Sequence, residues 1–359
     1  SVLSIFNFLK IIFLNKKFKE VIIFSENRSY YFVFFELIEK LKKEKKNFLY
    51  VTSDYNDIHN FDLYGKNIYI GKGIAFILFV NFVSCQNLIM TLTDLNNNKF
   101  KKSLFCKNFV YIFHSLMSTH KTYTEAAFDH FDLIFTCGQY QKDEIRKREE
   151  IKKLKKKKII NSGYLYFDYL NNLAKKNHQN AKTKILIAPS WSMGEKDFIN
   201  NDIEHLIELV LNSYDVIFRP HPESFIRSKL KLDRIEKKFS NNTKFYFDKE
   251  SSNIKSMQSC NLLITDGSGI SMEYLFFKKE PVIYIDIGSL EKIHNPEYHL
   301  ISNDTFENEV KVSMGVNLKF DNINTINKVI EDCLTRDFRK KIKLKSEKMI
   351  LDKFPNPGK

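Results

Sequence analysis

Short apolar runs recur along the chain between stretches with a helical rhythm. In the first half they are Val21–Phe24, Phe48–Thr52, Ile68–Ile70, Leu88–Leu92, Phe109–Phe113 and Leu133–Cys137. In the second half they are Ile185–Ala188, Val216–Phe218, Lys244–Phe247, Leu262–Thr265 and Val282–Ile285. They are rich in Val, Ile, Phe and Tyr, and their lengths suit parallel strands buried on both faces. Helical patterns such as Tyr30–Leu41, Asp202–Leu211 and Ile270–Phe277 lie between them. Alternation in both halves predicts an α/β protein with two doubly wound, Rossmann-like sheets. The polar stretch Asn171–Lys184 follows a strand-like Lys158–Ser162 and loses apolar periodicity. It sets a boundary, with residues 1–175 as the first domain and 176–359 as the second.

Composition narrows the class. Hydrophobic residues make up 43% of 359 and charged residues 28%, which excludes wholesale disorder and fibrous classes. Lys, Asn, Ile and Phe dominate, as AT-rich coding would produce. The net charge of +14 still predicts attraction to something anionic: nucleic acid, anionic lipid or a polyphosphate substrate. The five Cys (85, 106, 137, 260, 333) are odd in number and widely spaced, without a CxxC. A disulfide framework or structural zinc is therefore not expected, and a reducing cytosol fits. The longest apolar run, Ile74–Cys85, is well short of the roughly 20 residues a spanning helix needs. Val2–Leu14 lacks a small-residue cleavage site, so it does not read as a signal peptide. Two basic stretches, Arg146–Lys158 and Arg339–Lys348, read either as solvated helix faces or as contacts to a membrane surface.

Three motifs carry candidate chemistry. Asp266-Gly267-Ser268-Gly269-Ile270-Ser271-Met272-Glu273 follows a strand and opens a helix. Small residues there let backbone N–H groups approach a phosphate, and the helix N-terminus adds partial positive charge. Ser268 and Ser271 would donate hydroxyl hydrogen bonds, and Glu273 would accept from ribose hydroxyls; an ordinary capped turn is the plain alternative. Arg219-Pro220-His221-Pro222 directly follows a strand, where open α/β sheets bind ligands. Arg219 suits bidentate phosphate binding and His221 suits donation to a phosphoryl oxygen. In the other half, Phe113-His114-Ser115-Leu116 leads to Ser118-Thr119-His120-Lys121. Facing the Arg219–Asp266 group across a cleft, His114 or His120 would be a general base on an acceptor hydroxyl, and Lys121 would neutralise phosphate. A polar loop with helix-capping residues is the alternative. No P-loop, GxSxG, HExxH or strict DxD is present, and Asp129-His130-Phe131-Asp132 reads as a helix end more readily than as a metal site.

In their order, these elements resemble the CDP-glycerol glycerophosphotransferase (teichoic acid polymerase-like) family. The resemblance spans Phe109 to Tyr284. It includes Gly163-Tyr164 with Asp168, Ile187-Ala188-Pro189-Ser190-Trp191, Arg219-Pro220-His221-Pro222, Ile264–Gly269 with Glu273-Tyr274, and Glu280-Pro281-Val282-Ile283-Tyr284. The chain has His114-Ser115 where the family usually has His-Gly, and Asp266-Gly267-Ser268-Gly269 where it usually has Asp-Tyr-Ser-Ser. The resemblance implies a GT-B fold with two Rossmann-like domains facing an interdomain cleft, and a further helix beyond Pro357-Gly358-Lys359.

It also implies transfer of glycerol or ribitol phosphate from a CDP-linked donor to a hydroxyl of a cell-surface polysaccharide or lipid-linked acceptor. His114 and His221 are then the catalytic residues. Arg219, Asp266, Ser268, Gly269, Ser271 and Glu273 bind the donor, and His120 and Lys121 contact the acceptor or phosphate. No cofactor and no metal is expected. The enzyme would sit in the cytoplasm, peripheral on the inner face of the membrane, with the basic stretches against anionic lipid. The alternative is a GT-B glycosyltransferase using a CMP- or UDP-sugar in capsule or lipopolysaccharide synthesis. A nucleotide-sugar 2-epimerase shares part of the pattern but needs no acceptor. A nucleic-acid-binding role rests on charge alone, because RNP, KH, zinc-finger and helix-turn-helix signatures are missing.

Overall fold

The computed structural model describes residues 2–61, 63–96, 99–174, 182–191, 198–199, 203–250, 252–287 and 294–355. Half of the polar break at 171–184, together with Asp202 and Pro357–Lys359, lies outside the described residues. Among those described, no helix is long and apolar enough to cross a membrane.

The chain forms two compact units, each built on a parallel sheet. The first comprises residues 1–169 with two returning segments, 293–303 and 353–359; the second comprises 170–292 and 304–352. The sequence placed one boundary at 175/176. Nothing in composition marks the returning segments, because they are defined by what they pack on.

The first unit contains β1 (Val21–Ser25), β2 (Phe48–Thr52), β3 (Gly65–Tyr69), β4 (Cys85–Met90), β5 (Cys106–Ile112), β6 (Leu133–Thr136) and β7 (Lys158–Asn161). They run parallel in the order β3-β2-β1-β4-β5-β6-β7. The second contains β8 (Lys184–Ile187), β9 (Asp215–Phe218), β10 (Phe245–Phe247), β11 (Leu262–Thr265), β12 (Val282–Asp286) and β13 (Val316–Lys319), in the order β10-β9-β8-β11-β12-β13. Central strands are sealed on both faces: every residue of β2 and β11 is buried. That explains why they read as unbroken apolar runs. The edge strand β13 carries Val-Asn-Leu-Lys with one buried side chain, too mixed a pattern to stand out. The apolar run at Ile74 forms a nine-residue helix, Ile74–Phe82, that packs its Ala75, Phe76, Phe79 and Val80 inward.

In both sheets the strand order reverses once: between β1 and β4, and between β8 and β11. A crevice opens at the carboxyl ends of the strands at such a point, and ligands of open α/β sheets bind there.

The basic stretch Arg146–Lys158 divides into engaged and exposed cations. Arg148 makes a bidentate pair with Asp129 (2.7 and 2.7 Å), and Arg146 bonds Glu149 and the Lys157 carbonyl (2.9 Å). Lys157 is buried, with its N–H on Glu149 Oε1 at 2.8 Å and its ammonium at 3.4 Å. Lys152 pairs with Glu125 and Glu297. Arg146, Arg148, Lys152 and Lys157 thus hold the helix Gln139–Ile151 to its own unit, whereas Lys147, Lys153, Lys155, Lys156 and Lys158 are exposed. Asp129 and Asp132 are likewise engaged, on Arg148 and on Lys102 (2.6 Å).

Candidate active site

At the switch point of the second unit, the residues after β8 and β11 are tied together. The Ser190 N–H donates to Asp266 Oδ1 at 2.7 Å, and the Ser190 hydroxyl donates to Asp266 Oδ2 at 2.5 Å. Both carboxylate oxygens are therefore engaged by the loop after the neighbouring strand. Asp266 fixes the shape of the crevice, whereas the sequence reading made it a donor contact.

Past Asp266 the chain turns through Gly267, whose φ of +119° a side chain rarely adopts. This turn needs glycine for its backbone and not for space, since nothing lies within 4 Å of a Cβ placed there. The Gly267 and Ser268 N–H groups both donate to Thr265 Oγ1, at 3.4 and 3.2 Å. Gly269 then begins the helical segment Ile270–Glu273, which continues as a π-helical turn to Lys278. Gly269 also has open space around it. Ser268 is half-buried, whereas Ser271 is sealed at 3% exposure and hydrogen-bonded to the Tyr284 phenol. Burial pushes that phenol up to about 12. Ser271 is thus removed from the donor set, because its hydroxyl faces the core. Glu273 Oε2 accepts from Asn253 Nδ2 at 2.8 Å.

Arg219, after β9, is 9% exposed and turned inward. Its Nη1 donates to Asp248 Oδ2 at 2.6 Å and its Nη2 to the Glu250 carbonyl at 2.8 Å. Asp248 also accepts from Ser256 and from the Glu250 N–H. The expected bidentate phosphate fork is committed to a carboxylate and a carbonyl, so Arg219 ties the β9 end to the loop after β10. His221, two residues on, is half-buried, and its Nδ1 accepts the Glu223 N–H at 3.2 Å. In the neutral ring this leaves the proton on Nε2, which makes Nε2 a donor. Trp191 lies beside it, with ring centroids 6.2 Å apart and the Arg227 guanidinium 4.9 Å from the indole centroid. The sequence quoted Trp191 only as part of a motif; its neighbours become visible only when β8 and β9 are adjacent.

In the first unit, His114 follows β5. Its ring packs edge-on against Tyr30 (4.8 Å), and the Tyr164 hydroxyl donates to the His114 carbonyl at 2.9 Å. That bond gives the Gly163-Tyr164 motif a structural purpose. The helix Gln139–Ile151 pins the rest of the loop. Gln141 Nε2 reaches the Ser115 and Met117 carbonyls (3.2 and 3.0 Å), and Tyr140 reaches the Leu116 carbonyl (2.6 Å). Burial pushes His114 down to about 4, which keeps the imidazole neutral at physiological pH. At this unit's switch point, Glu26 follows β1 and accepts from the Thr91 hydroxyl, after β4, at 3.4 Å. Burial raises its pKa. No sequence motif drew attention to Glu26; only the strand order does.

His120 and Lys121 are corrected. His120 is 2% exposed, with Nδ1 3.3 Å from Glu144 Oε1, and Glu144 also takes the Thr119 N–H (2.6 Å) and hydroxyl (2.7 Å). Lys121 is 8% exposed, its ammonium 5.3 Å from the Tyr298 ring centroid. Both side chains are buried, which leaves little of either at the surface. Among the described residues, no group of three His, Cys, Asp or Glu is placed to hold a metal ion.

A family model described as CDP-glycerol:poly(glycerophosphate) glycerophosphotransferase matches residues 114–287. No curated protein sequence matches the chain. Among solved structures, the wall teichoic acid polymerase TagF is similar at 14% identity and a TM-score of 0.62, covering 99% of this chain and 93% of that one. A histidine-to-asparagine variant of TagF soaked with CDPG is similar at 12% identity and a TM-score of 0.59, covering 99% and 89%. The UDP-GlcNAc 2-epimerase of Methanocaldococcus jannaschii, in complex with UDP-GlcNAc and UDP, is similar at 13% identity and a TM-score of 0.54, covering 92% and 99%. At these identities the structural likeness speaks for the fold, which is GT-B.

Proposed function

We propose that this chain, a CDP-glycerol glycerophosphotransferase-like transferase of GT-B fold, moves glycerol or ribitol phosphate from a CDP-linked donor to an acceptor hydroxyl. The acceptor would be a cell-surface polysaccharide or a lipid-linked primer at the inner face of the membrane. One observation carries the reading. The matched segment, 114–287, opens on His114 and encloses the strand-end cluster of Ser190, Asp266, His221 and the Ser268–Gly269 turn.

In this reading the acceptor oxygen attacks the distal phosphorus of the donor in line. His114 takes the acceptor proton as the new O–P bond forms. The bond from that phosphorus to the CMP oxygen breaks, and CMP leaves. A neutral imidazole is ready to accept a proton, and a nearby diphosphate raises its affinity for one. His221 Nε2–H, the Ser268 hydroxyl and the helix start at Gly269 stabilise charge on the transferring and leaving phosphates. Glu273 receives ribose hydroxyls. Arg219 and Asp266 act one step back, by holding the loops that carry His221 and Ser268.

A thermal-shift screen of CDP-glycerol, CDP-ribitol, CMP-sugars and UDP-sugars tests the donor. A ligand at 100 times its Kd stabilises by about 2.7 kcal/mol, so the true donor separates from the others. Stabilisation by UDP- or CMP-sugars alone would transfer the site to glycosyl chemistry.

A further inference from the structure

All five thiols of the chain are free, and two of them face each other. Cys85 opens β4, Cys106 opens β5, and the two are register partners in parallel strands. The Cys85 thiol donates to Cys106 Sγ at 3.4 Å. Neighbouring strands lie about 4.8 Å apart, inside the ~4.4–6.8 Å between Cα atoms that a disulfide spans. The backbone is already at bridging distance, so only the side chains need to turn.

Chemistry and place set this pair apart from the other thiols. The hydrogen bond from Cys85 holds Cys106 below the usual thiol range, while that bond and burial push Cys85 up. Cys106 is therefore the readier nucleophile, with a resolving thiol beside it. Cys137, Cys260 and Cys333 are sealed at 1%, 0% and 1% exposure, and burial pushes each of their thiols up. Cys85 and Cys106 lie at the amino-end rim of the sheet, where the Cys85 N–H donates to the Phe105 carbonyl at 3.2 Å. Phe105 is 64% exposed and Leu104 95%. The first residues of a strand open locally at less cost than its middle, which admits a small oxidant.

We propose that Cys85 and Cys106 form a reversible oxidation site, closing to a disulfide that ties β4 to β5 within one chain. The oxidant is a peroxide. Cys106, having lost its proton, attacks one peroxide oxygen; the O–O bond breaks, and the departing hydroxide takes up that proton and leaves as water. Cys85 Sγ then attacks the sulfenic sulfur of Cys106. The S–S bond forms, the S–O bond breaks, and the Cys85 proton leaves with that oxygen as a second water. A thiol such as glutathione reverses the change by exchange. Past their opposite ends β4 and β5 lead to Thr91 and His114, so the bridge fixes the two strands that carry these residues. The inference does not depend on which group the enzyme transfers.

The test treats the folded full chain with hydrogen peroxide, then counts free thiols after denaturation and maps the linked peptides. The count should fall from five to three, with Cys85 joined to Cys106 of the same chain, and dithiothreitol should restore it. Closing a loop between positions 21 apart should raise the melting temperature of the oxidised parent by roughly 4–10 °C. Cys85→Ser should form no internal bridge and show no such rise, and dimedone should trap its Cys106 as the sulfenic acid. The proposal is overturned if the count stays at five, if the link joins two chains, or if Cys137, Cys260 and Cys333 react as fast as the pair. It is equally overturned if the bridge forms only in a chain that has lost its far-UV spectrum. Each of these overturning results is read on the parent chain, so none depends on how well the variant folds.

Discussion

Arg219 separates two readings of the second unit. As a phosphate ligand it would be dispensable for folding; as the partner of Asp248 it holds the unit together. The Asp248 side chain is 1% exposed and that of Arg219 10%, with 2.6 Å between their bonded atoms. Removing one partner of a buried pair leaves a desolvated charge and costs about 3–5 kcal/mol. Asp248 retains the Ser256 hydroxyl and the Glu250 N–H after Arg219→Met, which puts the expected loss near the lower end, about 3 kcal/mol. At roughly 2–4 °C per kcal/mol for a unit of this size, the midpoint of thermal unfolding should fall by about 6–12 °C. Arg219→Met/Asp248→Leu should recover a large part of that loss, because neither charge is left alone. Calorimetry on the full chain without ligand is the assay. If Arg219→Met melts within a degree or two of the parent while donor affinity collapses, the guanidinium is a ligand group and its assignment to Asp248 is wrong.

Other expectations follow from the same geometry. Acid should destabilise the first unit through His114. Its folded pKa of about 4 lies below the ordinary 6.5, so its stabilising share is complete above pH 6.5 and lost as pH falls toward 4. The shift corresponds to about 3 kcal/mol at most, less for its partial exposure; denaturant midpoints for the parent and His114→Gln should converge across that window. His114→Gln should also lower turnover by about 10²–10⁴ with donor affinity little changed, as for a lost general base; retained turnover would exclude the role. Ser190→Ala/Asp266→Ala should weaken donor binding in the thermal-shift assay more than it lowers the melting temperature of the free chain. Transfer should persist in excess EDTA, since His221, Ser268 and the helix start supply the positive field; abolition by EDTA and rescue by a divalent cation would contradict that.

Fold class was legible because buried parallel strands write themselves as apolar runs, and eleven such runs alternate with helical patterns. β13 was not, because an edge strand with one buried side chain leaves no such trace. The site divided along the same line. Motifs at strand ends, such as Arg219-Pro220-His221-Pro222, can be located from sequence because loops follow strands. Where each side chain turns cannot, because it depends on neighbours distant in sequence. Arg219 meets Asp248, Asp266 meets Ser190, and Ser271 meets Tyr284 only once β8 to β12 are side by side. His120 and Lys121 were read as acceptor or phosphate contacts because their segment is polar and follows a strand, yet both are buried, beside Glu144 and Tyr298. Within the basic stretch Arg146–Lys158, Arg148 and Lys152 are engaged for the same reason: their carboxylate partners include Glu125, Asp129 and Glu297.

The most direct test of the account is product analysis with CDP-glycerol, the purified full chain and a primer bearing a free hydroxyl. The account predicts release of CMP matched by phosphodiester-linked glycerol on the primer, with both falling about 10²–10³-fold in His221→Ala. Full activity in that variant would contradict the mechanism. Failure to release CMP from CDP-glycerol or CDP-ribitol, alongside turnover of a UDP- or CMP-sugar, would contradict the function itself.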